Sequence, residues 1–296
     1  MKTDGKNARD REKGPLAPGL YLVATPIGNL GDITLRALSL LARADVIACE
    51  DSRVTRKLLA AHGIATPLAS YHEHNAARAR PALIARMKAG EAVALVSDAG
   101  TPLVSDPGFK LVAEARAAGL AVTAAPGASA ALAALTLSGL PSDAFFFAGF
   151  MPPKSTARKR ALAALAAVPG SLVFFESARR LGEFLADAAA VFGPRKAAVC
   201  RELTKLHEEI AEGTLSGLAE RYGAIEPPRG EIVVVVAPPD AATTASSMQR
   251  LDEALEAALA SHSLRDAVDR VAAETGLPRR TVYARALELG AGKGGK

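Results

Sequence analysis

The sequence predicts an α/β protein, built as two successive α/β domains followed by a small helical extension of helix-turn-helix type. Three observations carry that expectation. Short apolar runs of strand length alternate with helical stretches, the rhythm of βαβ units and a largely parallel sheet. Four of these runs end in loops of small, hydroxyl and carboxylate residues. The chain has 296 residues, 49% of them hydrophobic, which is enough for two full cores.

In chain order, Met1 to Pro18 mixes basic and acidic residues without an apolar stretch, so it reads as a disordered leader, neither signal peptide nor membrane span. An N-terminal domain is expected over residues 19–140. Its strands are Leu20 to Ala24, Asp45 to Cys49, Val93 to Val96 and Ala121 to Ala124. Helical patterns cover Thr34 to Ala44, Arg53 to His62, Arg78 to Ala89, Phe109 to Ala118 and Ser129 to Leu137. In open α/β sheets ligands sit beyond the carboxyl ends of the strands. The segment Val93-Ala-Leu-Val-Ser-Asp-Ala-Gly-Thr-Pro-Leu-Val-Ser-Asp-Pro-Gly108 fits that arrangement best: a strand buried on both faces delivers Asp98 through Gly108 to a site. The loops Thr25 to Gly31, Glu50 to Arg53 and Ala125 to Ser129 should converge on the same edge, although Gly, Pro, Asp and Ser also serve any tight turn.

A seam at Ser138-Gly-Leu-Pro-Ser-Asp143 opens a second α/β domain, expected over 141–240. Strands are read at Ala144 to Phe150, Leu172 to Phe175 and Lys196 to Cys200. The unbroken β-branched run in Gly230-Glu-Ile-Val-Val-Val-Val-Ala237 marks a central strand. Helices are read from Ser155 to Ala167 and up to Val191. Pro238 to Ser247 reads as a linker, and an amphipathic helix follows from Gln249 to Ala260. From Leu264 to Leu289 a helix, a Gly-containing turn and a second helix complete an extension over 248–290. Arg279, Arg280, Tyr283 and Arg285 on its second helix could meet phosphates, or the extension could be a helical cap or dimerisation element.

Chemistry narrows next. Gly28-Asn-Leu-Gly31 is not the Gly-x-Gly-x-x-Gly of a dinucleotide fold, and no P-loop pattern occurs, so nicotinamide enzymes and P-loop hydrolases lose ground. Two cysteines, Cys49 and Cys200, at strand ends suit buried thiols in a reducing cytoplasm and cannot form a four-cysteine zinc site. The formal charge of +5 permits a polyanionic partner without demanding one. His72 and His74 lack a third ligand for a metal.

Seven ordered motifs then carry a resemblance. They are Tyr21-Leu-Val-Ala-Thr-Pro-Ile-Gly-Asn-Leu-Gly-Asp-Ile-Thr34, Cys49-Glu-Asp-Ser-Arg53, Tyr71-His-Glu-His-Asn75, Ser97-Asp-Ala-Gly-Thr-Pro102, Pro126-Gly-Ala-Ser129, Gly139-Leu-Pro-Ser-Asp143 and Arg201-Glu-Leu-Thr-Lys205. Together they resemble the tetrapyrrole methylase superfamily and, within it, the bacterial 16S ribosomal RNA (cytidine-2'-O)-methyltransferase family. The resemblance runs from about Leu20 to Ala237, and the helical tail matches that family's extension.

It implies two α/β domains with S-adenosylmethionine folded into the cleft between them, no metal, and a cytoplasmic homodimer. The substrate implied is a decoding-centre cytidine of 16S ribosomal RNA within the small ribosomal subunit. Asp98, Gly100, Thr101, Leu103 and Val104 would hold the methionine part of the cofactor, with Ala128, Ser129 and Ala130 adding contacts at a helix N-terminus. Phe175, Leu203 and Gly230 would lie near the adenosine. Glu50, Asp51, Arg53 and Lys205 are the expected catalytic set, with His72, His74 and Asn75 able to reach the same opening. Asp51 with Arg53 could equally cap a helix, and Arg201, Glu202 and Lys205 could equally lock the fold with an ion pair. Lys154, Arg158, Lys159 and Arg160 form a basic cluster that could track RNA phosphates or be a solvated helix start.

Two residues depart from the family pattern. Ser52 stands where threonine is more familiar, and Ala76 where an acidic residue is common, which excludes an acidic role at that position. Two rival readings remain: a methyltransferase acting on a tetrapyrrole ring, and a non-catalytic nucleic-acid-binding sensor. The first loop, Thr-Pro-Ile-Gly-Asn-Leu-Gly, differs from the Gly-x-Gly-Pro-Gly-Asp-Pro type of the tetrapyrrole enzymes. The sensor would predict nucleic-acid binding without turnover.

Overall fold

The computed structural model describes residues 14–293 apart from 106, 107, 276 and 278. Most of the expected leader, Asp106 and Pro107 of the site loop, and two residues of the expected turn in the tail therefore lie outside the described residues. The chain divides into two compact units, Met1–Ala133 and Ala134–Lys296.

The first unit is a five-stranded parallel sheet of β1 (Gly19–Val23), β2 (Val46–Cys49), β3 (Leu68–Ser70), β4 (Ala92–Val96) and β5 (Val122–Ala125), in the order β3-β2-β4-β1-β5. Central β4 is buried along its whole length, which is why it reads as a continuous apolar run and not as an alternation. Its residues still alternate between two cores. Ala94 and Val96 pack with α1 (Leu35–Arg43) and α2 (Ser52–Ala61), whereas Val93 and Leu95 pack with α3 (Ala76–Lys88) and α4 (Phe109–Ala117). Thr34 caps α1 through its hydroxyl, and Asp51 caps α2 through its carboxylate, each satisfying an otherwise orphaned backbone N–H. α5 (Ala130–Leu137) spans the division between the units.

In the second unit β6 (Phe145–Phe150), β7 (Ser171–Ser177), β8 (Lys196–Arg201), β9 (Glu209–Thr214) and β10 (Glu231–Val236) form a sheet in the order β6-β7-β10-β8-β9. β10 is central, as its Val run predicts. The expectation of a largely parallel sheet fails here: only β6 and β7 pair in parallel, and every other pair is antiparallel. The cause is a hairpin between β8 and β9, which the sequence reading missed. It reverses the chain once, so the following crossover through α8 (Leu215–Gly223) delivers β10 antiparallel to β7 and β8 alike. Glu and Gly in β9 are poor strand formers, and its exposed end marks an edge strand, so it carries no apolar run to detect. α6 (Ser155–Ala163), α7 (Leu181–Phe192) and α8 cover one face, burying Leu162, Leu181, Phe184, Leu185, Leu215 and Leu218 against the sheet.

The tail is three helices, α9 (Ala241–Leu259), α10 (Leu264–Thr275) and α11 (Arg279–Lys293), around Leu251, Leu255, Val268, Val271, Val282 and Ala286. The Thr/Ser/Ala stretch expected to be linker is the first part of α9 instead. Alanine favours the helix there, and the Pro238-Pro239 pair marks where it can begin. No helix among the described residues is long and apolar enough to cross a membrane. Cys49 and Cys200 are free and buried, and burial pushes the Cys200 thiol up to about 12.

Candidate active site

All five strands of the first sheet run the same way, so the loops that follow them emerge at one edge. Hydrogen bonds tie those loops together. Thr25 after β1 and Gly100 after β4 exchange backbone bonds of 2.9 and 3.1 Å, and the buried Thr25 hydroxyl donates to Ser97 O at 3.1 Å. Asp51 N after β2 donates to Asp98 Oδ1 after β4 at 3.0 Å. The Thr101 hydroxyl donates to Ala128 O, after β5, at 3.0 Å. Among the expected site residues of this unit, Asp98, Gly100, Thr101 and Ala128 are thus drawn together. Leu103, Val104, Ser129 and Ala130 follow within one to three residues, and Val104 is 37% exposed.

Backbone geometry singles out the same loop. Gly100 sits at φ +80°, and a Cβ there would lie 3.2 Å from Ile27 Cγ2 and 3.5 Å from Ala128 O, so the backbone is left bare where the loops meet. Leu103 and Ser105 also have positive φ, 73° and 64°. Strain of this kind costs about 1–3 kcal/mol per residue and clusters at ligand sites.

At the end of β2, Glu50 is exposed and has no internal partner among the described residues. Asp51 accepts from Arg53 N at 2.8 Å and from the Arg53 guanidinium at 2.6 Å, and these hydrogen bonds hold its carboxyl down at about 2. Asp51 is therefore a poor proton acceptor, while Arg53, 83% exposed, presents a cation to solvent. The 71–75 segment is a turn leading into α3 and not a strand. Asn75 pins it by accepting from His72 N at 2.9 Å and donating to Ser70 O at 3.0 Å. His72 and His74 rings meet edge to face at 6.0 Å.

In the second unit a matching strained loop follows β8. Glu202 and Thr204 have φ 50° and 66°, and with Leu103 and Ser105 they are the four positive-φ residues other than glycine among those described. The Lys205 ammonium donates to Glu202 Oε1 at 2.8 Å and to Glu231 Oε2 at 2.9 Å. Burial by itself would lower the Lys205 pKa, yet the two carboxylates hold it above its ordinary value. Gly230, at φ +110°, is glycine because a Cβ would come within 2.5 Å of the Glu202 side chain. Leu203 is buried, and Phe175 packs edge to face on Phe147 and Phe150.

The expected basic cluster is partly dismantled. Arg158 is 1% exposed and donates to Asp187 at 2.7 Å, and Lys159 pairs with Asp187 at 3.3 Å, so Arg158 cannot track phosphates. Its guanidinium ties α6 to α7 through Asp187 and Glu183, a role a charge count along the chain does not reveal. In the tail, Arg279 pairs with Asp269, and Arg285 holds Asp252 through two 2.7 Å bonds, bracing α11 against α10 and α9. Arg280 and Tyr283 remain exposed. Sequence reasoning also missed Glu176. It is buried beneath Arg180, which donates to its Oε1 at 2.8 Å, and its Oε2 is left without a partner. The i,i+4 spacing of Glu176 and Arg180 was the available signal.

Comparison with known proteins agrees with this architecture. Residues 19–219 match the family model of Tetrapyrrole (Corrin/Porphyrin) Methylases, and residues 245–290 match the RsmI C-terminal HTH domain. The chain is 54% identical to the "Ribosomal RNA small subunit methyltransferase I" of Mesorhizobium japonicum, over 95% of this chain and 97% of that one. It is 53% identical to the protein of the same name from Erythrobacter litoralis, over 95% and 98%. Among solved structures, uroporphyrin-III-C-methyltransferase from Thermus thermophilus superposes with a TM-score of 0.52 at 23% identity, covering 74% of this chain and 94% of that one. Parallel first sheet, mixed second sheet, helical tail and near-full-length identity lead to one conclusion: the chain belongs to the tetrapyrrole methylase family and, within it, to the family of the ribosomal RNA small subunit methyltransferase I proteins.

Proposed function

We propose that this protein is an S-adenosylmethionine-dependent methyltransferase that modifies the ribose 2'-hydroxyl of a decoding-centre cytidine in 16S ribosomal RNA. The observation that carries the proposal is the 54% identity to a ribosomal RNA small subunit methyltransferase I along 95% of the chain. An assembled small subunit as substrate, a homodimer and a cytoplasmic location belong to the same proposal. The exposed Phe145, Phe146 and Phe150 on the edge strand β6 supply apolar surface of the kind a second copy would cover.

The residues after β4 and β5 fit the cofactor. The bare backbone at Gly100 and the left-handed Leu103 open the loop to close approach, and the N-terminus of α5 at Ser129–Ala130 suits a carboxylate. Asp98, Gly100, Thr101, Leu103, Val104, Ala128, Ser129 and Ala130 would hold the methionine moiety, with Phe175, Leu203 and Gly230 serving the adenosine. When bound, S-adenosylmethionine supplies an electrophilic methyl on a sulfonium, so no metal is needed. The protein's part is to align the hydroxyl, exclude water and manage one proton. Glu50, without an internal partner among the described residues, is the carboxylate suited to accept that proton. Asp51, with its basicity suppressed, instead orients Arg53 toward the RNA backbone.

The test is methyl transfer from radiolabelled S-adenosylmethionine to small subunits and to free 16S RNA from cells lacking the enzyme, with the product mapped by mass spectrometry. Label at 2'-O-methylcytidine in the decoding centre is expected. Label absent from RNA but present on a uroporphyrin-type ring would overturn the proposal in favour of the tetrapyrrole reading.

A further inference from the structure

We propose that Glu202 is a positioning residue for methyl transfer: it fixes the Lys205 ammonium so that a single N–H remains to meet the substrate. The inference rests on the methyltransferase reading above. An ammonium has three N–H donors. Two of those of Lys205 are taken, by Glu202 Oε1 at 2.8 Å and Glu231 Oε2 at 2.9 Å, and no third acceptor occurs among the described residues.

Glu202 is itself held from three sides. Its Oε1 also accepts from Glu231 N at 2.9 Å, its own N donates to Glu231 O at 3.0 Å, and Gly230 leaves room for its side chain that no other residue would. The backbone accepts left-handed conformations at Glu202 and Thr204 to make this possible. Two left-handed residues cost about 1–3 kcal/mol each, more than an ion pair still partly open to solvent returns, so stability alone does not account for the arrangement.

The charges around Lys205 also define what it can do. Glu202 and Glu231 flank it, Arg201 shares Glu209 with Arg221, and Glu208 accepts from Thr204 N. Two carboxylates against one ammonium repel a phosphate and keep the lysine charged. The lysine is therefore a hydrogen-bond donor to a neutral or developing negative oxygen, such as a ribose hydroxyl, and not a proton acceptor.

The test compares wild type, Lys205→Met, Lys205→Arg and Glu202→Gln on small subunits from cells lacking the enzyme, across pH 6 to 10, with cofactor affinity measured by calorimetry. Lys205→Met is expected to lose about 100-fold in kcat, the scale of one lost transition-state donor, with Lys205→Arg recovering part of it and cofactor Kd unchanged. Glu202→Gln keeps the shape and removes one charge. Its kcat near neutrality should fall about 10-fold with cofactor Kd unchanged, because the ammonium is no longer fixed by a charged acceptor, and its activity should decline further at alkaline pH, at least one pH unit before wild type does, because the lysine now loses its proton sooner.

A Lys205→Met enzyme within twofold of wild type, or Glu202→Gln and wild-type profiles that coincide, would overturn the inference. So would an activity that rises earlier with pH in Glu202→Gln, the mark of a lysine base. If wild type itself leaves the subunits unlabelled, the ribosomal reading fails and this inference fails with it, an outcome distinct from active wild type beside active Lys205→Met.

Discussion

The loop after β4 and the loop after β8 each hold two non-glycine residues at positive φ, Leu103 with Ser105 and Glu202 with Thr204, but hydrogen bonds to backbone groups fix the first and ion pairs fix the second. In the first, a backbone bridge to Thr25 and the Thr101 hydroxyl on Ala128 O hold the loop, with no internal ion pair among its described residues. In the second, Lys205, Glu202 and Glu231 form a chain of ion pairs over backbone that only Gly230 permits. The difference suits the tasks proposed for them. A loop that admits a charged cofactor keeps its backbone bare, and a loop that offers one oriented cation surrounds it with carboxylates.

The comparison can be broken most forcefully at Gly230. Alanine there meets Glu202 atoms at 2.5 Å and adopts φ +110°, so denaturant unfolding should show a loss of about 3 kcal/mol from backbone strain plus forced repacking. An unchanged midpoint would mean the second loop is not built around that side chain. In the first loop, Thr101→Val removes the bond to Ala128 O; about 1 kcal/mol of stability should go, with cofactor affinity falling about 10-fold by calorimetry. Ser105→Gly, in contrast, relieves a left-handed residue that is exposed. It should raise stability by about 0.5 kcal/mol, the balance of relieved strain against glycine's added chain entropy, and a decrease would show that the strain is absent.

Smaller effects sharpen the contrast between the two loops. Hydrogen exchange of amides 201–205 should speed up on going from low to high salt, while amides 97–105 stay unchanged. Acid should act in the same selective way. The Glu202 carboxyl lies below its ordinary value because Lys205 and the Glu231 amide hydrogen-bond to it. Its contribution is present above the ordinary carboxylate range and is lost as pH falls through the lowered folded value. At the end of β2, Asp51 should titrate at about 2 by NMR in the intact protein and return to the ordinary range in Arg53→Ala.

Much of the first unit was legible in the chain. Buried parallel strands write themselves as apolar runs such as Val93 to Val96, and capping residues such as Thr34 and Asp51 stand one residue before the helices they start. β3 escaped because three residues carry no period, and β9 because an edge strand needs little apolar surface. In the site, Asp98, Gly100 and Thr101 were readable from their place after a buried strand. Glu176 was passed over because a lone acidic residue at a strand end looks solvated until the fold covers it.

The sequence by itself determined that this protein alternates strands with helices, ends in a helical module, and brings loops of small polar residues to one sheet edge. Those properties follow from local periodicity and turn chemistry, which neighbouring residues fix among themselves. Tertiary structure alone decided that β10 runs antiparallel to β7 and β8, that Arg158 is buried against Asp187, and that Arg279 and Arg285 pair with carboxylates of neighbouring helices. Strand direction depends on one reversal elsewhere in the chain, and the fate of a charge depends on the partner that folding places beside it, so neither is written in the residue's own surroundings.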